Sequence, residues 1–118
     1  MTTGSMFAET KAAFVKAAVR DLKSYIASKS YRSIPVGYEM SASDNYDVAS
    51  MYMTCSNSSD SIDFLGISDF SWCVNNTFLS SGYEAIINLY GSYPVPVFFS
   101  QYGCKDVASV PREFGEST

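Results

Sequence analysis

The chain has 118 residues, 47% hydrophobic and 17% charged, with a formal net charge of −4, which is a globular composition and the length of one modest domain. Histidine is absent, and that excludes Ser-His-Asp and Cys-His catalysis and every imidazole metal site. The longest apolar runs, such as Val95-Pro96-Val97-Phe98-Phe99, fall far short of the about 20 residues of a membrane span.

The opening MTTGSMFAET has neither a basic leader nor an apolar block. No secretory signal is expected from it, and residues 1–11 read as an unstructured or non-homologous start. From Ala12 to about Ser30 the apolar positions Phe14, Val15, Ala18, Val19, Leu22, Tyr25 and Ile26 recur at helical spacing, with Thr10 as the expected N-cap. Six of the eight bases and two of the twelve acids lie within residues 1–32, a net +4 there against −8 for the rest. On an amphipathic helix those bases read as a solvated charged face, and no nucleic-acid partner is expected of an acidic chain.

Ile34-Pro35-Val36-Gly37-Tyr38 reads as a short buried strand with its proline near the start. A helix follows from Asp44 to Cys55, with Val48, Met51, Tyr52 and Cys55 on one face, and a polar loop closes it. Ile62 to Ile67 is a second strand, and Ser81 with Glu84 predicts a capping box for a third helix lined by Tyr83, Ile86, Ile87 and Tyr90. Gly91 ends it, and PVPVFFSQYGC, residues 94–104, carries the third strand. Strand starts near 34, 62 and 95 are one βα unit apart, so the expected class is α/β, with three parallel strands in the order α-β-α-β-α-β. Such a sheet leaves both edges and one face without partners, which suggests self-association through exposed strand edges.

No Gly-rich phosphate loop or dinucleotide fingerprint follows any strand, so no cofactor is expected. Cys55, Cys73 and Cys104 are too few and too widely spaced for zinc, and no metal is expected; they are either free thiols or one disulfide with one thiol left over. Asn57 and Asn75 lie in N-x-Ser/Thr sequons and are candidate glycosylation sites.

Several ordered blocks carry a family resemblance. Phe14 to Asp21, Arg32-Ser33-Ile34-Pro35-Val36-Gly37-Tyr38, Ile62-Asp63-Phe64-Leu65-Gly66, Trp72-Cys73, Ser80-Ser81-Gly82-Tyr83 and Pro96 to Cys104 together resemble the fungal β-1,3-glucanosyltransferases of glycoside hydrolase family 72. The similarity runs from residue 12 to 114, where Pro111-Arg112-Glu113-Phe114 looks like the family's Pro-Arg-x-Phe segment, and leaves 115–118 as a tail. It implies part of a (β/α)8 TIM barrel from an extracellular, lipid-anchored cell-wall enzyme that cuts β-1,3-glucan and rejoins the new end to another glucan chain. A typical barrel needs about 250 residues, so the resemblance implies a partial, truncated barrel.

Such a retaining mechanism uses two carboxyl groups about 5 Å apart, a nucleophile and an acid/base. The family's nucleophile lies in Ser-Glu-Tyr-Gly-Cys, where this chain has Ser100-Gln101-Tyr102-Gly103-Cys104. Gln101 therefore stands in the nucleophile position as an amide, and an amide cannot form the glycosyl ester. The family's Asn-Glu acid/base pair has no counterpart in MTTGSMFAET, and Glu9 is assigned no role. Where the family has Tyr-Glu-Trp-Cys, this chain has Phe70-Ser71-Trp72-Cys73, so Phe70 keeps the ring and loses the hydroxyl. The resemblance implies a Cys73–Cys104 disulfide with Cys55 unpaired, and an enzyme inactive by itself; the alternatives are a non-catalytic β-glucan-binding fragment and a non-functional gene fragment. Tyr38, Asp69, Trp72 and Tyr102 are the expected substrate-binding residues for β-1,3-glucan, although strand-end aromatics also serve packing. Glu39 shares that rim.

Overall fold

Three strands, β1 (Gly37–Ser41), β2 (Phe64–Asp69) and β3 (Val97–Tyr102), lie side by side in the order β1-β2-β3, and both pairings are parallel. They belong to a computed structural model that describes residues 3–42, 46–55, 57–73 and 76–104. Parallel neighbours need crossovers, and these are α2 (Tyr46–Met53) between β1 and β2 and α3 (Tyr83–Tyr90) between β2 and β3. A long helix, α1 (Thr3–Ser28), precedes β1, and a 3-10 turn at Phe78–Ser80 precedes α3. The order is the α-β-α-β-α-β expected from the spacing. Asn75, the 111–114 segment, the 115–118 tail and the expected helix start at Asp44 lie outside the described residues.

All three helices contribute to one core on one face of the sheet. Ala12, Val15 and Val19 of α1, Met53 of α2, and Ile86 and Tyr90 of α3 are buried with Met40, Leu65 and Ile67 of the strands. Leu65 and Ile67 of the central strand are fully buried, as alternation requires of side chains directed at the helices. On the opposite face the side chains of Glu39 and Ser100 reach across Gly66, and both residues are exposed. One face is thus packed and the other open, the arrangement of an arc of barrel wall.

Several element boundaries differ from the sequence reading. α1 begins at Thr3, so residues 3–11 are helical rather than unstructured, and Thr10 is an interior residue rather than an N-cap. Once an amphipathic segment has nucleated a helix, each added residue costs little. The helix closes in a Schellman arrangement with Ser30 at φ 55°, Ser30 N–H donating to Ala27 O at 3.0 Å and Tyr31 N–H to Ile26 O at 3.2 Å.

Strands begin two or three residues later than expected, at 37, 64 and 97. Pro35, Pro94 and Pro96 have no N–H for a ladder. Ile62 N–H is taken by Met53 O at 3.2 Å, and Val36 N–H by the Asp63 carboxylate at 2.9 Å.

Two helix faces are also reassigned. On α2, among the residues whose side chains are described, Ser50 and Met53 are buried and Tyr52 packs partly against the core, while Met51 and, beyond the helix, Cys55 are exposed; the side chain of Val48 lies outside the described residues. Ser50 is buried because Tyr90 Oη donates to its hydroxyl at 3.2 Å and Tyr93 Oη to its carbonyl at 2.6 Å; hydrophobic periodicity cannot register a polar residue held this way. On α3, Tyr83, Ile86 and Tyr90 are buried but Ile87 is half exposed.

The Ser81/Glu84 capping box does not form. Gly82 is the N-cap, and its N–H donates to Ser71 Oγ at 3.0 Å. A capping box instead closes the preceding 3-10 turn, with Ser80 N–H donating to Thr77 Oγ1 at 3.2 Å and Thr77 N–H to Ser80 Oγ at 2.9 Å.

The basic face of α1 is more than a solvated surface. Lys23 Nζ donates to Ser61 O at 2.7 Å and Ser58 O at 3.0 Å and pairs with Asp63 at 3.0 Å. Lys16 pairs with Asp60 at 3.6 Å and donates to Cys55 O. Both lysines therefore tie the loop after α2 to α1, and Arg20 alone among these three faces outward, pairing with its neighbour Asp21 at 3.1 Å.

Burial raises the Asp63 pKa, but the Val36 N–H and the Lys23 ammonium outweigh it and hold the carboxyl below its ordinary value. A lowered native pKa means stability that is complete above the unfolded value, about 3.9, and is lost as pH falls through the native value. Urea midpoints measured between pH 6 and pH 2 should therefore fall at the acid end, and Asp63→Asn should flatten that fall. The side chain is 41% exposed, so solvent screening keeps the change modest.

Candidate functional site

The carboxyl ends of the three strands converge on one edge of the sheet, where open parallel sheets and barrels place their chemistry. Met40 stands opposite Ile67 and Ile67 opposite Phe99; one step on, Ser41 is opposite Ser68, but Ser68 is opposite Gln101. Ser100 is therefore an extra residue in β3. Such a bulge is rare between parallel strands and re-aims the side chains beside it, and here it brings Gln101 rather than Ser100 into register with Ser68. Gln101 and Tyr102 are exposed, Tyr102 at 74%.

The segments after β2 and β3 are joined covalently. Cys73 and Cys104 form a disulfide with a Cα–Cα distance of 4.7 Å, and Ser71 bridges Cys104 in an antiparallel pairing. Cys55 is a free, exposed thiol whose Sγ lies 3.0 Å from Tyr52 O. Tyr83 reinforces the joint from α3: its buried hydroxyl donates to Asp69 O at 2.8 Å and accepts from Gly103 N–H at 3.3 Å. One phenol thus holds the ends of two strands. Gly103, at φ +148°, adopts a backbone conformation that a side chain would strain, and a Cβ there would lie 3.8 Å from the Phe70 ring.

The expected site residues separate into three groups. Gln101, Tyr102, Phe70 and Trp72 are exposed at the strand-end rim. Trp72 sits edge-to-face on Phe78 at 5.8 Å and on Tyr83 at 5.6 Å, with its indole N–H donating to Asn76 O at 3.2 Å. It is fixed by packing yet 46% exposed, which suits a ring offered to a ligand.

Asp69 is turned inward. It is 5% exposed, accepts Ser71 N–H at 2.7 Å and lies against Gly82 at the start of α3, so its visible work is to shape the turn after β2. Tyr38 faces the helices, packs against the core and lines a groove with Phe14, Ala18 and Leu22 of α1. It stands away from the rim. Asn57 is exposed. Glu9, given no role from sequence, accepts a hydrogen bond from Tyr52 Oη at 2.9 Å and links α1 to α2.

Sequence reasoning did not find the bulge at Ser100 or the bridging role of Tyr83. Neither leaves a periodic signal, since both depend on pairings between residues distant in the chain. Among the described residues no group of three or more His, Cys, Asp or Glu side chains could hold a metal ion, and no helix is long and apolar enough to cross a membrane.

Comparison with known proteins matches residues 3–118 to a family described as Glucanosyltransferase. The chain is 47% identical over 109 residues to the 1,3-beta-glucanosyltransferase GAS5 of Saccharomyces cerevisiae, covering 89% of this chain and 22% of that protein. It is 46% identical over 107 residues to Protein EPD1 of Candida maltosa, covering 88% of this chain and 19% of that one. It is also similar in structure to a Saccharomyces cerevisiae Gas2p variant in complex with laminaritetraose and laminaripentaose, at 40% identity and a TM-score of 0.72, over 85% of this chain and 23% of that chain. The chain thus spans about a fifth of the length of these relatives. The three parallel strands correspond to part of a (β/α)8 barrel.

Proposed function

The chain belongs to the glucanosyltransferase family of glycoside hydrolases, and from that premise we propose that it engages β-1,3-glucan at its strand-end rim without transferring it through residue 101. The observation that carries this reading is an amide, Gln101, exposed beside a bulge at the carboxyl end of β3. In retaining transfer a carboxylate attacks the anomeric carbon and holds the sugar as an ester. A carboxamide is uncharged and weakly nucleophilic, and it offers no negative charge to an oxocarbenium-like transition state. Phe70 supports the same conclusion, since a phenyl ring has no hydroxyl to donate to an attacking group.

Binding has better support than turnover. Solved relatives with 40% and 41% identity are complexes with laminari-oligosaccharides, and Trp72 and Tyr102 keep exposed rings at the rim for stacking on sugar faces. The disulfide suits an oxidising compartment, and we place the protein at the fungal cell surface with its family. Incubation with a reduced laminari-oligosaccharide, followed by product sizing and calorimetry, tests the reading. The expected result is measurable binding with the oligosaccharide unchanged in length. Longer and shorter products appearing together would show that transfer runs after all, and an absence of binding heat would remove the glucan from the account.

A further inference from the structure

The turn after β2 carries Phe70 and Trp72, and α3 reaches it through one buried side chain. Gly82 brings the start of α3 so close that a Cβ on it would lie 3.1 Å from both Asp69 Oδ2 and Ser71 Oγ. That approach places the next residue, Tyr83, against the ends of two strands, where it is 3% exposed. Its hydroxyl donates to Asp69 O, one residue before Phe70, and accepts from Gly103 N–H, two residues after Gln101.

The ring has partners of its own. It meets Trp72 edge-to-face at 5.6 Å, Phe99 of β3 edge-to-face at 4.7 Å, and Phe78 nearly parallel at 6.3 Å. Trp72 also stands edge-on to Phe78, and Asn76 O accepts its indole N–H. One backbone carbonyl thus fixes the polar edge of the indole, and two rings fix its tilt. Tyr83 is the buried one of the two, whereas Phe78 is 40% exposed. A ring held in place before a ligand arrives spares the binding step the cost of ordering it.

We propose that Tyr83 is a positioning residue for the rim: its ring sets the orientation in which Trp72 meets a sugar, and its hydroxyl fixes that turn relative to the segment carrying Gln101 and Tyr102. It touches no glucan and acts through Trp72 and Gly103. The sugar contact rests on the glucan-binding reading above, while the hold on Trp72 is visible without a ligand.

Trp72 is the single tryptophan of the chain, so its fluorescence reports that hold. The test compares the native chain with Tyr83→Phe, Tyr83→Leu and Tyr90→Phe. Tyr90 is buried on the same helix and donates to Ser50 Oγ at 3.2 Å, so its replacement also deletes a buried hydroxyl, but away from the rim. Tyr83→Phe and Tyr90→Phe should both lower the urea midpoint, because each leaves a buried partner short of a hydrogen bond. Only the changes at Tyr83 should move Trp72. In Tyr83→Phe its anisotropy should fall and acrylamide should quench it about twofold more readily. Laminaritetraose affinity by calorimetry should fall about threefold, within the range of one aromatic contact, and Tyr83→Leu should lose more of both. In the native chain the Gly103 amide should exchange slowly with deuterium, a measurement that needs no variant to fold. Native values of quenching or affinity in Tyr83→Phe, the same losses in Tyr90→Phe, or free exchange at Gly103 would each overturn the assignment. If the native chain gives no binding heat while Tyr83→Phe loosens Trp72 as expected, the glucan reading falls and the hold of Tyr83 on the rim stands.

Discussion

Gln101→Glu should become covalently labelled by a 2-deoxy-2-fluoro-laminaribiosyl fluoride, and the native sequence should not. The reagent separates the two carboxyl roles. Its fluoride departs without protonation, so no general acid is needed, and the 2-fluoro group slows hydrolysis of the ester. The step balances simply: a carboxylate oxygen of residue 101 forms a bond to the anomeric carbon as the C–F bond breaks and fluoride leaves. A carboxamide cannot provide that oxygen as an anion. Intact mass spectrometry should show one disaccharide adduct on the variant, located by peptide mapping at residue 101, and none on the native chain. The bulge that brings residue 101 opposite Ser68 is a backbone feature, so replacing an exposed amide by a carboxylate of the same shape should leave it in place. An adduct on native Gln101 would contradict the inactive assignment. No adduct on the variant would mean that the open rim does not hold the anomeric carbon within reach.

Removing the Cys73–Cys104 bridge should lower stability by about 3–4 kcal/mol, the chain-entropy value for a loop of this length. The two cysteines are 31 residues apart, and the loop between them contains α3 and all of β3. A Cys73→Ser/Cys104→Ser variant should unfold about 15 °C or more below the native chain. Reductant should lower the native chain to the same temperature while leaving the variant unchanged. Loss should be felt first at the rim, because the bridge joins the segments that follow β2 and β3. The Tyr83 hydroxyl, bonded to Asp69 O and Gly103 N–H, would then be the remaining tie between them. A loss below about 1 kcal/mol would mean that this tie already supplies most of the constraint.

Much of the architecture was legible in the chain. Apolar runs of strand length one βα unit apart, with helical periodicity between them, leave few arrangements other than parallel strands covered on one face. Ala12 to Ile26 showed its helix, although only part of its apolar set is buried. Phe14, Leu22 and Tyr25 remain exposed, because periodicity records that a helix has an apolar face and says nothing of how much of it a neighbour covers. Reading PVPVFFSQYGC as a strand put Gln101 and Cys104 at the carboxyl end of β3, where the structure has them.

The candidate site was legible in residue type more than in placement. Tyr38 and Asp69 both stand at or near strand ends, but strand alternation turns Tyr38 to the helices, and a turn hydrogen bond from Ser71 N–H holds Asp69 inside. Glu39 accepts a hydrogen bond from Ser100, in another βα unit, a contact that no local pattern announces.

The sequence alone determined which elements form, their order, and the chemical fact of an amide at position 101, because propensity, periodicity and side-chain identity are local properties of the chain. Tertiary structure alone decided which polar groups face one another: the Ser100 bulge, the Tyr83 tie and the Glu39–Ser100 contact across Gly66. Each joins residues from different βα units, and their meeting depends on strand register and close packing. No local pattern encodes these.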